Sequence, residues 1–270
     1  MSKFQLFIWR ACVTCVILTI GFAFIRVTGA IIQFSRDEYS NTNLSNVEQS
    51  REEPRPNVKS IALTFDDGPH PDFTLKILSV LELNDVKASF FVVGKMAVKH
   101  QNLVRAIHEY GHDIGNHTFN HPLLTTVGKE AVADELEKGR SAISTLTGSE
   151  VIFFRPPSGR YDAETVRIAA AHGFYTILWS VNSLDYGCNS SKDIESRVLS
   201  NPADGDIVLL HSGVKATLEA LPDIIKGLKE KGFELKTLSE MMHDKCGDPK
   251  KGMYKNFAPS VGVVVKKSDK

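Results

Sequence analysis

The chain alternates between two hydrophobic rhythms. Short β-prone runs, SIALTF, ASFFVV, HDIGN, VIFFR, YTILWS, DIVLLH and FELKTL, are rich in apolar and β-branched residues, as expected of strands in a largely parallel sheet. Between them lie longer stretches with apolar positions three and four apart: DFTLKILSVLEL, AVKHQNLVRAIHEY, KEAVADELEKGRSAISTL, AETVRIAAAHG, SKDIESRVLS and ATLEALPDIIKGLKE. That spacing predicts helices. The alternation predicts an α/β fold. Seven strand candidates with interleaved helices suit a distorted, incomplete (β/α) barrel with about seven parallel strands better than an open sheet. Asp66, Asp67, Arg155 and His211 fall at the C-terminal ends of predicted strands, the face on which such folds build active sites.

The rhythm holds over residues 59–242, which are expected to form one domain, and fails on either side of it. Lys3 and Arg10 precede ACVTCVILTIGFAFI, and the apolar stretch within residues 1–34 is expected to act as a membrane anchor or signal segment. It can cross a hydrocarbon core of roughly 30 Å if Arg10 or Arg26 reaches an interface. An uncleaved anchor is favoured over a cleaved signal peptide because no A-x-A-like site follows the apolar run. Basic residues at the N-terminus place that end in the cytoplasm and the rest outside. The expected localisation is therefore the cell membrane, single-pass with an extracytoplasmic domain, with secretion after cleavage as the alternative. Residues 35–58 are polar and too poor in large apolar groups to fold alone, so they read as a tether, and residues 243–270 read as a tail.

Composition narrows the partners. With 42% hydrophobic and 24% charged residues the chain can bury one sizeable core, and 32 Lys and Arg balance 32 Asp and Glu. No net charge draws it to nucleic acid. Cys12 and Cys15 lie in the apolar segment as small hydrophobes, while Cys188 and Cys246 are left to pair or to remain thiols.

Five polar clusters carry the chemistry. In Thr64-Phe65-Asp66-Asp67-Gly68-Pro69-His70 two adjacent carboxylates follow a strand; they make a good turn, or they divide labour, one ligating a cation and the other acting as a base. His117 and His121 are spaced to converge on a metal, though Pro122 discourages a helix there, and a simple loop pair is the structural alternative. Asp67 can add a third ligand and leave a position open for water. Arg155 ends a core strand and asks for a carboxylate, for which Asp66 is the candidate. His211 follows IVLL and can protonate a leaving group, with Asp185 to orient it. Trp179 and Tyr186 read as core or groove aromatics.

In this order TFDDGPH, HTFNHP, FRPPSG, WSVNSLDY and LLHS resemble the five motifs of the polysaccharide deacetylase family of carbohydrate esterases, the NodB-like homology domain, over roughly residues 59–238. The resemblance implies a distorted (β/α) barrel that removes N-acetyl groups from an amino-sugar polymer. It implies that Asp67, His117 and His121 bind a divalent metal, Asp66 is the general base and His211 the general acid. Arg155 would hold Asp66 and Asp185 would tune His211. Leu209 would line the pocket for the acetyl methyl, and a backbone N–H near Ser158 would help hold the oxyanion. Ser158, Asn182 and Tyr186 depart from the family's usual aromatic, Asp and Trp, which bears on the groove and leaves the ligands, base and acid intact.

Zn2+ is the first choice of metal for a His, His, Asp set, with Co2+, Ni2+ or Mn2+ as substitutes. An anchored enzyme on a polar tether points to peptidoglycan N-acetylglucosamine as substrate, with chitooligosaccharides or O-acetyl xylan as alternatives. A magnesium phosphohydrolase is disfavoured because magnesium prefers oxygen ligands. A glycan-binding homologue without activity is the non-enzymatic alternative. Oligomeric state has no sequence signal.

Overall fold

The computed structural model describes residues 58–246 and a short strand at Val263–Val264. The apolar segment within residues 1–34, nearly all of the 35–58 tether and most of the tail lie outside the described residues. Among the described residues no helix is long and apolar enough to cross a membrane.

The strands are β1 (Lys59–Gly68), β2 (Ser89–Val92), β3 (Asp113–Asn116), β4 (Phe153–Phe154), β5 (Tyr175–Ile177), β6 (Val181–Asn182), β7 (Asp206–His211), β8 (Phe233–Leu235) and β9 (Val263–Val264). They pair in parallel in the order β6-β7-β1-β2-β3-β4-β5-β9, with β8 beside the start of β1. The sheet curls into an incomplete barrel, and all seven expected strands are present. The short β6 and β9 extend it at its two ends beyond what the hydrophobic runs predicted, because a two-residue strand leaves no periodic trace.

Eight α-helices lie among the described residues: α1 (Thr74–Leu83), α2 (Gly94–Lys99), α3 (Gln101–Glu109), α4 (Lys129–Thr147), α5 (Ala163–Ala171), α6 (Ser191–Leu199), α7 (Lys215–Glu230) and α8 (Leu238–Cys246). In α1 the buried residues are Thr74, Ile77, Leu78 and Leu81, the stripe that a 3.6-residue period puts on one face. The single helix expected over residues 97–110 is two. His100 leaves helical geometry at φ −125°, ψ 53°, and α2 begins earlier, directly after β2. α8 runs on to Cys246, past the domain end expected at residue 242.

Strand periodicity sorts the core into two layers. Ile61, Leu63 and Phe65 of β1, Phe90 and Val92 of β2, and Val208 and Leu210 of β7 face the helices, and the alternating Ala62, Phe91 and Ile207 face the barrel interior with Phe153 and Ile177. Leu238 and Met241 of α8 join the inner cluster, and the Leu238 N–H meets Ser89 Oγ at the start of β2, so α8 packs at the N-terminal ends of the strands. The interior at the C-terminal ends is left to polar residues.

Candidate active site

Alternation continues up β1 and β7 into the polar end of the interior. Thr64 and Asp66 follow Ala62 on the inner face, Leu209 and His211 follow Ile207, and the register sets Thr64 against Leu209 and Asp66 against His211. Asp67, next in sequence, should point the other way. It does not follow the pleat because it takes φ 65° where the β1–β2 register slips between Phe65 and Gly68. That bulge lets both carboxylates serve one site.

Arg155, completely buried at the end of β4, organises Asp66. Its Nη1 donates to Asp66 Oδ1 at 2.7 Å and to Thr64 Oγ1 at 2.8 Å, while Nε and Nη2 donate to the carbonyls of Ile177 and Leu178 at 3.2 and 2.8 Å. The guanidinium carbon lies 4.0 Å from the Phe91 ring centroid. Asp66, 4% exposed, therefore has one oxygen tied to Arg155 while Oδ2 faces His117 Nε2 at 3.9 Å.

The two histidines stand on the loop after β3. His117 Nδ1–H donates to the Arg155 carbonyl at 2.8 Å, which turns Nε2 toward Asp67 Oδ1, 3.4 Å away. His121 Nε2 is 3.2 Å from the same oxygen. Ligand atoms of Asp67, His117 and His121 all lie within 4.8 Å of one another. Two imidazole nitrogens and a carboxylate oxygen converging on one point, with His117 oriented through its other ring nitrogen, are the donor set of a His, His, Asp metal site, so the residues fit a metal. Burial works to raise the Asp67 pKa, but hydrogen bonds and charge from His117 and His121 outweigh it and hold the carboxyl well below the usual carboxylate range. The Asp67 hydrogen bond raises His121 against the effect of burial.

On the other side of the site His211 is fixed by Asp185, which is fully buried. Nδ1–H donates to Asp185 Oδ1 at 2.7 Å, and Oδ2 accepts the His211 backbone N–H at 2.7 Å and the Thr217 hydroxyl at 2.6 Å. Burial lowers the His211 pKa, but the hydrogen bond and charge of Asp185, with charge from Asp66 and Asp67, raise it overall. The ring tautomer leaves Nε2 for the site.

Ser158 is exposed, at φ 58° in the turn Pro157–Gly159, and makes no hydrogen bond to these side chains among the described residues. The turn is packed tightly: a Cβ on Gly159, itself at φ 63°, would lie 2.4 Å from the Trp179 ring. Asn182 Oδ1 accepts the Leu184 N–H at 3.0 Å and so braces the segment before Asp185. Tyr186 is 77% exposed, its ring centroid 5.5 Å from that of His211. Five of the six non-glycine residues at positive φ among the described residues, Asp67, Thr118, His121, Ser158 and Leu184, belong to these motifs. Backbone strain is concentrated where side chains are aimed. Thr64 and Thr217, which anchor Arg155 and Asp185, were not visible as site residues in the sequence; a buried hydroxyl on an apolar stripe was the available signal. Cys188 is in no disulfide among the described residues.

Fold and cluster together define a barrel hydrolase with a candidate metal site set between a buried carboxylate and a carboxylate-oriented histidine. The family model described as polysaccharide deacetylase matches residues 53–177. A peptidoglycan-N-acetylglucosamine deacetylase of Bacillus cereus is 38% identical over 189 residues, 68% of this chain and 69% of that protein. A peptidoglycan-N-acetylmuramic acid deacetylase of Bacillus subtilis is 33% identical over 191 residues, 69% of this chain and 73% of that protein. A crystal structure of a peptidoglycan N-acetylglucosamine deacetylase aligns with a TM-score of 0.67 at 37% identity, covering 68% of this chain and 88% of that one. The chain belongs to the polysaccharide deacetylase family.

Proposed function

We propose that the chain hydrolyses the N-acetyl groups of N-acetylglucosamine in peptidoglycan, releasing acetate, with a divalent transition metal, Zn2+ in the first place, held by Asp67, His117 and His121. The observation that carries this reading is the opposition of two differently prepared groups across the ligand cluster. Asp66 has one oxygen tied to Arg155 and one facing the cluster, and His211 has Nδ1 tied to Asp185.

The metal, when bound, supplies Lewis-acid polarisation of water and of the acetyl oxygen. Asp66 Oδ2 takes the proton of the attacking water as its oxygen bonds to the acetyl carbon. His211 then delivers a proton from Nε2 to the amide nitrogen as the C–N bond breaks, and Asp185 stabilises the imidazolium that precedes this step. Acetate and a free sugar amine leave. A backbone N–H near Ser158 faces the developing oxyanion, and Leu209, on the inner face two residues before His211, lies against the acetyl methyl.

The apolar stretch within residues 1–34 would hold the enzyme at the cell membrane, with residues 35–58 as tether and a catalytic domain over residues 59–242 outside it; secretion after cleavage is the alternative. The names of the relatives include both peptidoglycan amino sugars, and N-acetylglucosamine is favoured by the Bacillus cereus relative, the more similar of the two reported. Mass spectrometry of acetyl loss across peptidoglycan fragments, chitooligosaccharides and acetylated xylan tests the reading. Loss from the glucosamine of peptidoglycan is expected; loss only from muramic acid, or only from xylan, would overturn the substrate assignment.

A further inference from the structure

The loop carrying His117 and His121 bends sharply, with Thr118 and His121 at φ 65° and 63°. Such a loop keeps one shape only when its backbone polar groups are engaged. Its acceptors are met by α2: the N–H groups of Gly94 and Lys95 donate to the carbonyls of Thr118 and Phe119, each at 2.9 Å, and Lys95 Nζ donates to the Asn120 carbonyl at 3.0 Å. Its donors turn to α4. The N–H groups of Phe119 and Asn120 both donate to Glu135 Oε2, at 3.0 and 2.7 Å, and the Asn120 side-chain amide donates to Oε1 at 2.7 Å.

Glu135 is an anomaly on its own helix. The buried stripe of α4 is Val132, Glu135, Leu136, Gly139 and Ile143, and Glu135 is 9% exposed. A carboxylate on a core-facing stripe loses hydration, and here three charge-assisted N–H bonds replace it.

The two histidines depend on this residue unequally. His117 is fixed by other groups, its N–H on the Val92 carbonyl at 2.9 Å and its ring on the Arg155 carbonyl. His121 follows directly after the Phe119 and Asn120 amides, and its own N–H has the Thr118 hydroxyl at 3.0 Å, within the same loop.

We propose that Glu135 is the positioning residue of the ligand loop: by holding the Phe119 and Asn120 amides it sets where His121 Nε2 stands relative to Asp67 and His117. The inference rests on the reading of Asp67, His117 and His121 as metal ligands.

The test is Zn2+ affinity of the metal-stripped full-length chain, measured by competition with a chromophoric chelator. Glu135→Ala is expected to weaken binding about tenfold or more, the scale of losing a group that orients a ligand. Glu135→Gln is expected to stay within about threefold of the wild type, since its amide oxygen accepts both backbone N–H groups and Asn120 turns its own oxygen to the new amide. Glu135→Asp keeps the charge but withdraws it by one methylene, and is expected to weaken binding; it carries the test if the alanine variant does not fold. In a His121→Ala background the same substitutions are expected to leave the remaining affinity unchanged. Equal loss in both backgrounds, or wild-type affinity in folded Glu135→Asp, overturns the positioning role. A wild-type chain that takes up no Zn2+ overturns the metal reading itself.

Discussion

His211 and Asp185 are joined twice, ring Nδ1–H to Oδ1 and backbone N–H to Oδ2, each at 2.7 Å. The carboxylate thus fixes both where the histidine backbone ends β7 and which way its ring turns. Its charge also raises the His211 pKa against the lowering effect of burial.

A general acid must carry its proton, so turnover is expected to fall as pH rises through the raised His211 value, above the ordinary histidine range. Asp185→Asn removes the charge that raises it, and the alkaline limb of kcat/KM should move to lower pH while the rate drops. His211→Ala should lower turnover by about 10² or more and leave metal content unchanged. pH–rate profiles with elemental analysis check this; a limb that stays in place in Asp185→Asn would show that another group titrates there.

The adjacent carboxylates should separate cleanly. Asp67→Ala removes one of three candidate ligands and should lower metal stoichiometry. Asp66→Asn should keep its metal yet lose about 10² or more in turnover. It also leaves the buried Arg155 guanidinium without its counter-charge, which costs on the order of 3 kcal/mol, so its Tm should fall too. Metal analysis, initial rates and thermal unfolding distinguish the two variants.

Arg155→Lys preserves charge and should still fail. One ammonium cannot reproduce donors at Nε, Nη1 and Nη2 that reach Asp66, Thr64, Ile177 and Leu178. The expected loss is on the order of 3 kcal/mol of stability, with turnover falling as Asp66 is released. Unchanged unfolding by urea would contradict this account of the buried network.

Metal uptake should depend on pH through His121. Its pKa is raised chiefly by the Asp67 hydrogen bond, and it must give up its proton to become a ligand. Affinity should therefore weaken as pH falls through that raised value, beginning above the ordinary histidine range. Chelator competition at a series of pH values measures it. A flat profile across that range would show that His121 does not join the coordination.

Local pattern alone made much of this protein legible. The run SIALTF read as a strand within an α/β alternation, and the polar residues that follow such runs, Asp66, Arg155 and His211, could be placed at one end of a sheet because strand direction in that alternation is fixed. Motif order then identified the family. What stayed hidden were relationships between segments far apart in sequence. Arg155 bonds Asp66 across 89 positions and Thr64 across 91. Asp66 meets His211 only through the β1–β7 register. Periodicity says which face a residue takes, but not which strand lies beside it, so these pairings belong to tertiary structure. The departures from periodicity were hidden for the same reason. Asp67 joins Asp66 because its backbone turns to positive φ, and Glu135 sits on an apolar stripe because a loop from another part of the chain supplies its hydrogen bonds. A strained turn and a buried carboxylate are each unfavourable in isolation, and only the packed fold supplies the partners that hold them in place.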